Sequence, residues 1–325
     1  MKLIFSIVLL LFLFPAVLGQ SVKMIHKGLE SDSSFYHIEK INDNEFWAGG
    51  EYGILKNIDT LGNVSSLNFP NEGINILKIK KVKEYVFITT SNATIYRYDI
   101  KKKTFITKKF PEFNGKCFYD LIELKNGKLL LCGGNTEIAI AKKKIPNGFI
   151  AVLDKDLNDI EVVWKNKMKF VWSLLASEQG GLLAVTFNGV NTEIIKSEDL
   201  KSWEKDIKIK GLVHEITAID NEIWYCGAKN LHFKRDGIIG NRSNEQKQLK
   251  NTGCLWSLNT VGSKIIAVTE SGELLRFDKI SNEIEYMETP KTSTLYGFEI
   301  ISRYKILVVG RGNTLFIMNI ESCLI

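Results

Sequence analysis

The feature that most constrains this 325-residue chain is repetition. A short apolar segment ending in or near Gly or Thr recurs seven times, as EFWAGG, YVFITT, LLLCGG, LLAVTF, IWYCGA, IIAVTE and ILVVGR. With Gly49, Thr89, Gly133, Thr186, Gly227, Thr269 and Gly310 as anchors, the units recur every 40 to 53 residues. After each anchor a second apolar segment runs to Asp59, Asp99, Asp154, Asp199, Asp236, Asp278 or Asn319. An Asp or Asn there accepts backbone N–H groups and opens a tight turn, so these residues are expected to be structural. A third series opens each unit: FYHI, INIL, FYDL, VWSL, VHEI, LWSL and LYGF, its second residue 13 or 14 positions ahead of the anchor. A more polar segment completes the unit. Four strands rich in β-branched and aromatic residues, repeated at a period near forty, spell an all-β fold, a seven-bladed β-propeller of four-stranded antiparallel blades.

A chain of this length is long for one ordinary core, but repeats escape that limit because each unit buries its face against the next. The ring must also close, because an open one exposes strand edges. The seventh repeat ends at IESCLI, with little left for an outer strand, whereas VKMIHK at 22–27 precedes the first repeat and has strand composition. The N-terminal strand is therefore expected to complete the last blade, giving one propeller domain over residues 20–325.

Residues 1–19, MKLIFSIVLLLFLFPAVLG, place one lysine before an uncharged apolar run and small residues at its end. That layout predicts a signal peptide, hence a secreted, periplasmic or cell-surface protein with no stable membrane span after its removal. The net charge of +6 is carried by dispersed lysines with few arginines, which argues against nucleic acid as a partner. Five cysteines without a close pair, and four scattered histidines, predict neither a disulfide framework nor a metal site, and no cofactor motif is present. A monomer is expected.

The first unit, FWAGGEYGILKNIDTLGN at 46–63, resembles the repeats of the photosystem II assembly-factor propellers, with Gly50 and Gly53 as the glycine pair and Asn57 where a serine would stand. Ser197, Asp199 and Trp203 in KSEDLKSWEK resemble the Asp-box of sialidase-type propellers, one residue shorter and without its glycine. Such boxes stabilise the fold away from active sites, so the resemblance implies architecture and not a reaction.

In a propeller the starts of the inner strands and the loops between second and third strands converge on one channel mouth, where ligands usually bind. The second residue of the third series gives Tyr36, Asn75, Tyr119, Trp172, His214, Trp256 and Tyr296. Aromatic faces with hydrogen-bonding tips suit a glycan, a peptide or a protein loop, although the same rings could instead fill the wedge between blades. The next position (His37, Ile76, Asp120, Ser173, Glu215, Ser257, Gly297) is expected on the opposite side of the strand. The longest second-to-third loop, at 135–148, carries Lys142, Lys143 and Lys144, and Arg311 occupies the equivalent loop of the seventh unit; these would favour an anionic ligand. Two function classes follow. The favoured one is a non-catalytic binding propeller using Tyr36, Tyr119, Trp172, His214, Trp256, Tyr296 and Arg311. The alternative is a carbohydrate-active hydrolase or lyase with Asp120 and Glu215 as its paired carboxylates.

Overall fold

The computed structural model describes residues 22–26, 32–135, 147–177, 181–230, 235–243, 246–261, 263–290 and 293–320. The signal segment at 1–19, the lysine run at 142–144 and Cys323 lie outside the described residues. Seven four-stranded antiparallel sheets form the seven blades. Their inner strands are Phe35–Asn42, Ile76–Val82, Lys116–Glu123, Phe170–Ala176, Leu212–Ile219, Leu255–Val261 and Leu295–Ser302. In blades one to six the strands follow chain order from the inside out. Blade seven takes its outermost strand from the N-terminus: Val22–His26 pairs antiparallel with Leu315–Asn319, in the register Val22 with Met318 and Met24 with Phe316. The ring closes as the sequence leads one to expect.

The wedge between blades is filled by two apolar series on the inner strands. Phe35, Ile76, Phe118, Val171, Val213, Leu255 and Leu295 are buried, and so are Ile38, Ile79, Leu121, Leu174, Ile216, Leu258 and Phe298. At the seam between blades one and seven, Phe35, Ile38 and Phe46 pack with Leu307, Val309 and Leu315. Between these two series every inner strand carries a β-bulge, at the same place in all seven blades. The bulge admits one unpaired residue, and it re-registers the repeats. In blade two the bulged residue is Leu77, with Lys78 after it, so Asn75 and Ile76 stand two positions away from the places assigned to them above.

The anchors also shift by one residue in the first two blades, to Gly50 and Thr90. The residue at this place faces a backbone carbonyl of the inner strand. A Cβ on Gly50, Gly133, Gly227 or Gly310 would stand 1.8, 2.1, 1.9 or 2.4 Å from the carbonyl oxygen of Ser34, Cys117, Leu212 or Thr294. The even blades use Thr90, Thr186 and Thr269, whose hydroxyls donate to the carbonyls of Thr94, Glu193 and Glu273 across the following turn. Odd and even blades thus solve the same turn in two ways.

The acidic residues at the third-strand ends behave as expected in most blades. Asp59, Asp99, Asp154, Asp199 and Asp278 each accept backbone N–H groups two to five residues on. In the SEDLKSW turn the Leu200 amide also donates to Ser197 Oγ, and Trp203 Nε1 donates to the Leu200 carbonyl. Blade five departs. Its third strand is Gly237–Asn241, not the segment ending at Asp236, and Asp236 accepts the amide of Asn251 from beyond the fourth strand.

The closing strand is expected to hold the ring. Removing residues 20–26 leaves Leu315–Asn319 as an open edge and uncovers Phe316 and Met318, both fully buried. Four paired positions at about 1 kcal/mol each correspond to a fall in Tm of roughly 10 °C. Thermal unfolding followed by circular dichroism checks this, and an unchanged Tm would show that the strand is dispensable.

Candidate functional site

The bulged residues are Tyr36, Leu77, Tyr119, Trp172, His214, Trp256 and Tyr296, all half-buried at the end of the channel where the inner strands begin. They touch one another around the axis. Tyr119 and Trp172 have ring centroids 4.4 Å apart, Trp172 and His214 5.9 Å, and His214 and Trp256 4.3 Å. Trp256 and Tyr296 follow at 5.2 Å, then Tyr296 and Tyr36 at 5.4 Å, both edge to face. Six rings thus form an arc over six blades, and Leu77 of blade two fills the interval between Tyr36 and Tyr119. The arc is tied to the loops beyond it: Tyr36 Oη donates to Glu51 and Tyr119 Oη to the Asn135 carbonyl, at 2.7 and 2.8 Å. Trp172 also packs against Phe170, Phe187 and Leu212. The indole N–H groups of Trp172 and Trp256 are buried with no hydrogen-bond partner among the described residues.

The two flanking apolar series fill most of the wedge, and Tyr119, Trp172 and Trp256 also pack against buried clusters at the blade boundaries, so the arc shares both roles that the sequence left open. The bulge overturns the expected alternation. An extra residue in one strand breaks the period of two and re-aims the side chains beside it. The next series (His37, Lys78, Asp120, Ser173, Glu215, Ser257 and Gly297) therefore works across the same blade boundaries as the aromatic arc.

That second series has a definite task. The inner strand is paired along one edge only, and the amides of its other edge point toward the channel. His37 Nδ1 accepts the amide of Ile79 in the next blade, at 3.3 Å. Asp120 Oδ2 accepts that of Leu174 at 2.8 Å, and Glu215 Oε2 that of Leu258 at 3.0 Å. One layer deeper, Glu39 Oε1 accepts the Lys81 amide at 3.0 Å. The proposed catalytic carboxylates are thus caps on strand edges.

A buried charge cluster accompanies them. Lys78 Nζ lies 3.4 Å from Asp120 Oδ1, with side chains 21 % and 6 % exposed. Burial alone would push the Lys78 ammonium down, but Asp120, Glu215 and Glu39 outweigh it and keep the group protonated. Burial raises the Glu215 carboxyl, against the pull of Lys78 and a hydrogen bond from Ser257. Burial, helped by Lys78 and Lys80, holds His37 well below the usual histidine range. Burial and Lys78 also lower His214 to about 4, so both imidazoles are neutral at pH 7. Glu299, buried beside Glu39, is raised to about 7. Among the described residues no group of three His, Cys, Asp or Glu side chains could hold a metal ion. Arg311 is exposed in its loop, and no described contact joins it to the arc.

No family model matches the chain, and no curated protein matches it. Solved structures do. A streptogramin B lyase aligns at a TM-score of 0.71 and 15 % identity, over 94 % of this chain and 99 % of its own. The YCF48 protein bound to a D1 peptide aligns at 0.65 and 12 % identity, over 94 % and 96 %. The extracellular domain of the hybrid two-component system BT3049 from B. thetaiotaomicron aligns at 0.66 and 14 % identity, covering 92 % of this chain and 42 % of that one. These likenesses establish a seven-bladed propeller and nothing finer. Among the residues named from sequence, the structure brings Tyr36, Tyr119, Trp172, His214, Trp256 and Tyr296 together. Sequence reading missed Leu77 and Lys78, because INILKIK carries apolar residues on both phases and no sequence signal fixes its register.

Two consequences are measurable. Lys78→Met removes the ammonium that answers Asp120, Glu215 and Glu39, and breaking a buried pair costs about 3–5 kcal/mol. Adding Asp120→Asn is expected to restore part of this, because the amide oxygen still accepts from Leu174; urea denaturation of both variants checks it. Glu299 gives a pH signature. Its folded pKa lies above the unfolded value, so its contribution is present below pH 4.5 and lost as pH rises toward 7. Glu299→Gln should match the wild type in stability near pH 4.5 and exceed it by up to about 3 kcal/mol at pH 8. A constant difference across that range would refute the assignment.

Proposed function

We propose that this chain is an exported, non-catalytic binding propeller that takes a peptide, a glycan or a loop of a partner protein at its aromatic channel mouth. The observation that carries this reading is the arc of six touching rings from Tyr119 round to Tyr36. Rings present wide, rigid contact area at low entropic cost, and such surfaces recur where proteins grip peptides and sugars. The chemistry below the arc supports binding over turnover. A general acid or base must offer a free lone pair or proton to its substrate, whereas Asp120 and Glu215 spend theirs on the amides of neighbouring blades and on Lys78. The fold neighbours span both classes, a peptide-bound protein and a lyase, and so favour neither. Export rests on the layout of residues 1–19.

A glycan and peptide array probed with the mature protein, beside the Trp172→Ala, Trp256→Ala double variant, tests the reading. The variant is expected to lose at least ten-fold in affinity, which is about 1.4 kcal/mol, while remaining folded at the assay temperature with a lowered Tm, because both indoles also pack against buried clusters. Equal binding by both proteins would move the site away from the arc.

A further inference from the structure

The inner strands begin at the aromatic mouth, so the turns from first to second strand lie on the opposite face. That face has a cavity of its own, a groove of about 790 Å³ between blades four and five. Two unlike connections frame it. Blade five turns through Asp220 and Asn221, both in the left-handed region at φ 50° and 64°, as a two-residue hairpin requires. Blade four leaves its inner strand at Ser177 and returns at Gly181, whose carbonyl accepts the Ser177 amide. The floor is apolar: Leu182, Leu183 and Ile223 line the groove and are buried.

The walls are charged. Glu222 stands half-buried just after the blade-five turn, and Glu198 is exposed just after the third strand of blade four, Asn191–Ser197. Neither carboxylate has a hydrogen bond or ion pair among the described residues. Two cations also line the groove, and both are engaged. Lys196 Nζ lies 3.0 Å from Glu204 Oε1, and Arg242 Nη2 lies 2.6 Å from Asp206 Oδ1. The Asp206 side chain is only 7 % exposed, and its second oxygen has no partner among the described residues. Glu198, Glu204, Asp206 and Glu222 thus outnumber Lys196 and Arg242. Lys196 reports the sign of the sum: Glu204, with Asp206 adding to it, holds the ammonium above the usual lysine range against Arg242.

A net negative wall over an apolar floor suits an ammonium carried on a hydrocarbon stem. The stem covers the floor while the head meets a carboxylate. The same wall repels an anion, and a sugar would find no ring to stack on, because no lining residue is aromatic.

We propose that this groove is a second binding site, separate from the mouth, for a primary ammonium on an aliphatic stem, with Glu222 as its main partner and Glu198 at its rim. The stem is either a lysine side chain of a partner protein or a free alkylamine, and the recognition chemistry is the same for both.

The test follows the backbone amides of Asn221 and Ser243 by NMR in the full mature protein. Pentylamine is titrated in, with 1-pentanol and pentanoate in parallel. A saturable shift with pentylamine alone is expected. Glu222→Gln should weaken it about ten-fold, and Glu198→Gln less, at an unchanged Tm. Should a variant fold poorly, the wild type decides: molar salt must weaken pentylamine binding several-fold, and a salt-independent affinity would overturn the proposal. An equal shift with 1-pentanol would reduce the groove to an apolar hollow, and a saturable shift with pentanoate would reverse its sign. No saturable shift with pentylamine, or one that Glu222→Gln leaves unchanged, would also sink the idea. Nα-acetyl-lysine N-methylamide separates the two sources: binding at least as tight as that of pentylamine assigns the groove to a partner's lysine, and weaker binding assigns it to a free amine. The Trp172→Ala, Trp256→Ala variant should bind pentylamine as the wild type does, so a failure of the mouth reading leaves this site standing.

Discussion

Everything at the centre of this molecule follows from the free edge of the inner strand. In a closed propeller each blade pairs its first strand on one side only, and the amides of the other side meet a narrow channel instead of a neighbour strand. Buried N–H groups are almost always satisfied, and here the preceding blade supplies the acceptor. His37, Asp120 and Glu215 do this for blades two, four and six. The arrangement draws ionisable groups into a place that disfavours charge, and a single ammonium, Lys78, answers Asp120, Glu215 and Glu39 together. The raised Glu215 carboxyl and the neutral His37 ring are the electrostatic cost of capping strand edges. They resemble an active site in composition while having a structural cause.

The bulge is the second half of the device. Without it the inner strand would alternate strictly, and a cap and a ring on adjacent residues would face opposite ways. With it, the ring sits at the mouth, the cap lies just below, and the apolar residues on either side still fill the wedge. Repetition of one irregularity in all seven blades marks it as part of the design of the repeat.

Blade number, strand composition and ring closure were legible in the sequence because each depends on a spacing or an apolar pattern. The register of blade two was not. Ile74, Ile76 and Lys78 alternate with Asn75, Leu77 and Ile79 in a run where apolar residues appear on both phases, and a slip of two residues leaves such a pattern almost unchanged. The Gly49–Gly50 and Thr89–Thr90 doublets hid the anchor in the same way: either member satisfies the pattern, and only the approach of the Ser34 carbonyl to Gly50 tells them apart. In blade five Asp236 matched the expected turn residue in type and spacing, yet the strand begins after it. The aromatic arc was legible as a list of residues, but its continuity around the ring needed coordinates. The capping role of Asp120 and Glu215 was not legible at all, because it joins residues more than forty positions apart through backbone amides that no side-chain pattern records.

A ring built from near-identical units has a further difficulty, which is orientation. A perfectly seven-fold mouth presents the same surface in seven directions and holds an asymmetric ligand no better in one than in another. Function on such a scaffold must therefore reside where the repeat is broken. The bulge series breaks at Leu77, where an aliphatic residue interrupts the arc, and the capping series breaks most completely at Gly297, where the side chain disappears. These positions fall on blades two and seven, on either side of blade one, whose Tyr36 ends the arc and whose Ile38 amide is the one facing the glycine. The departures from symmetry thus converge on one sector of the mouth, while blades three to six supply a continuous aromatic wall opposite. The two sides of the mouth therefore differ in surface, and that gives the ring a polarity its repeats alone do not have.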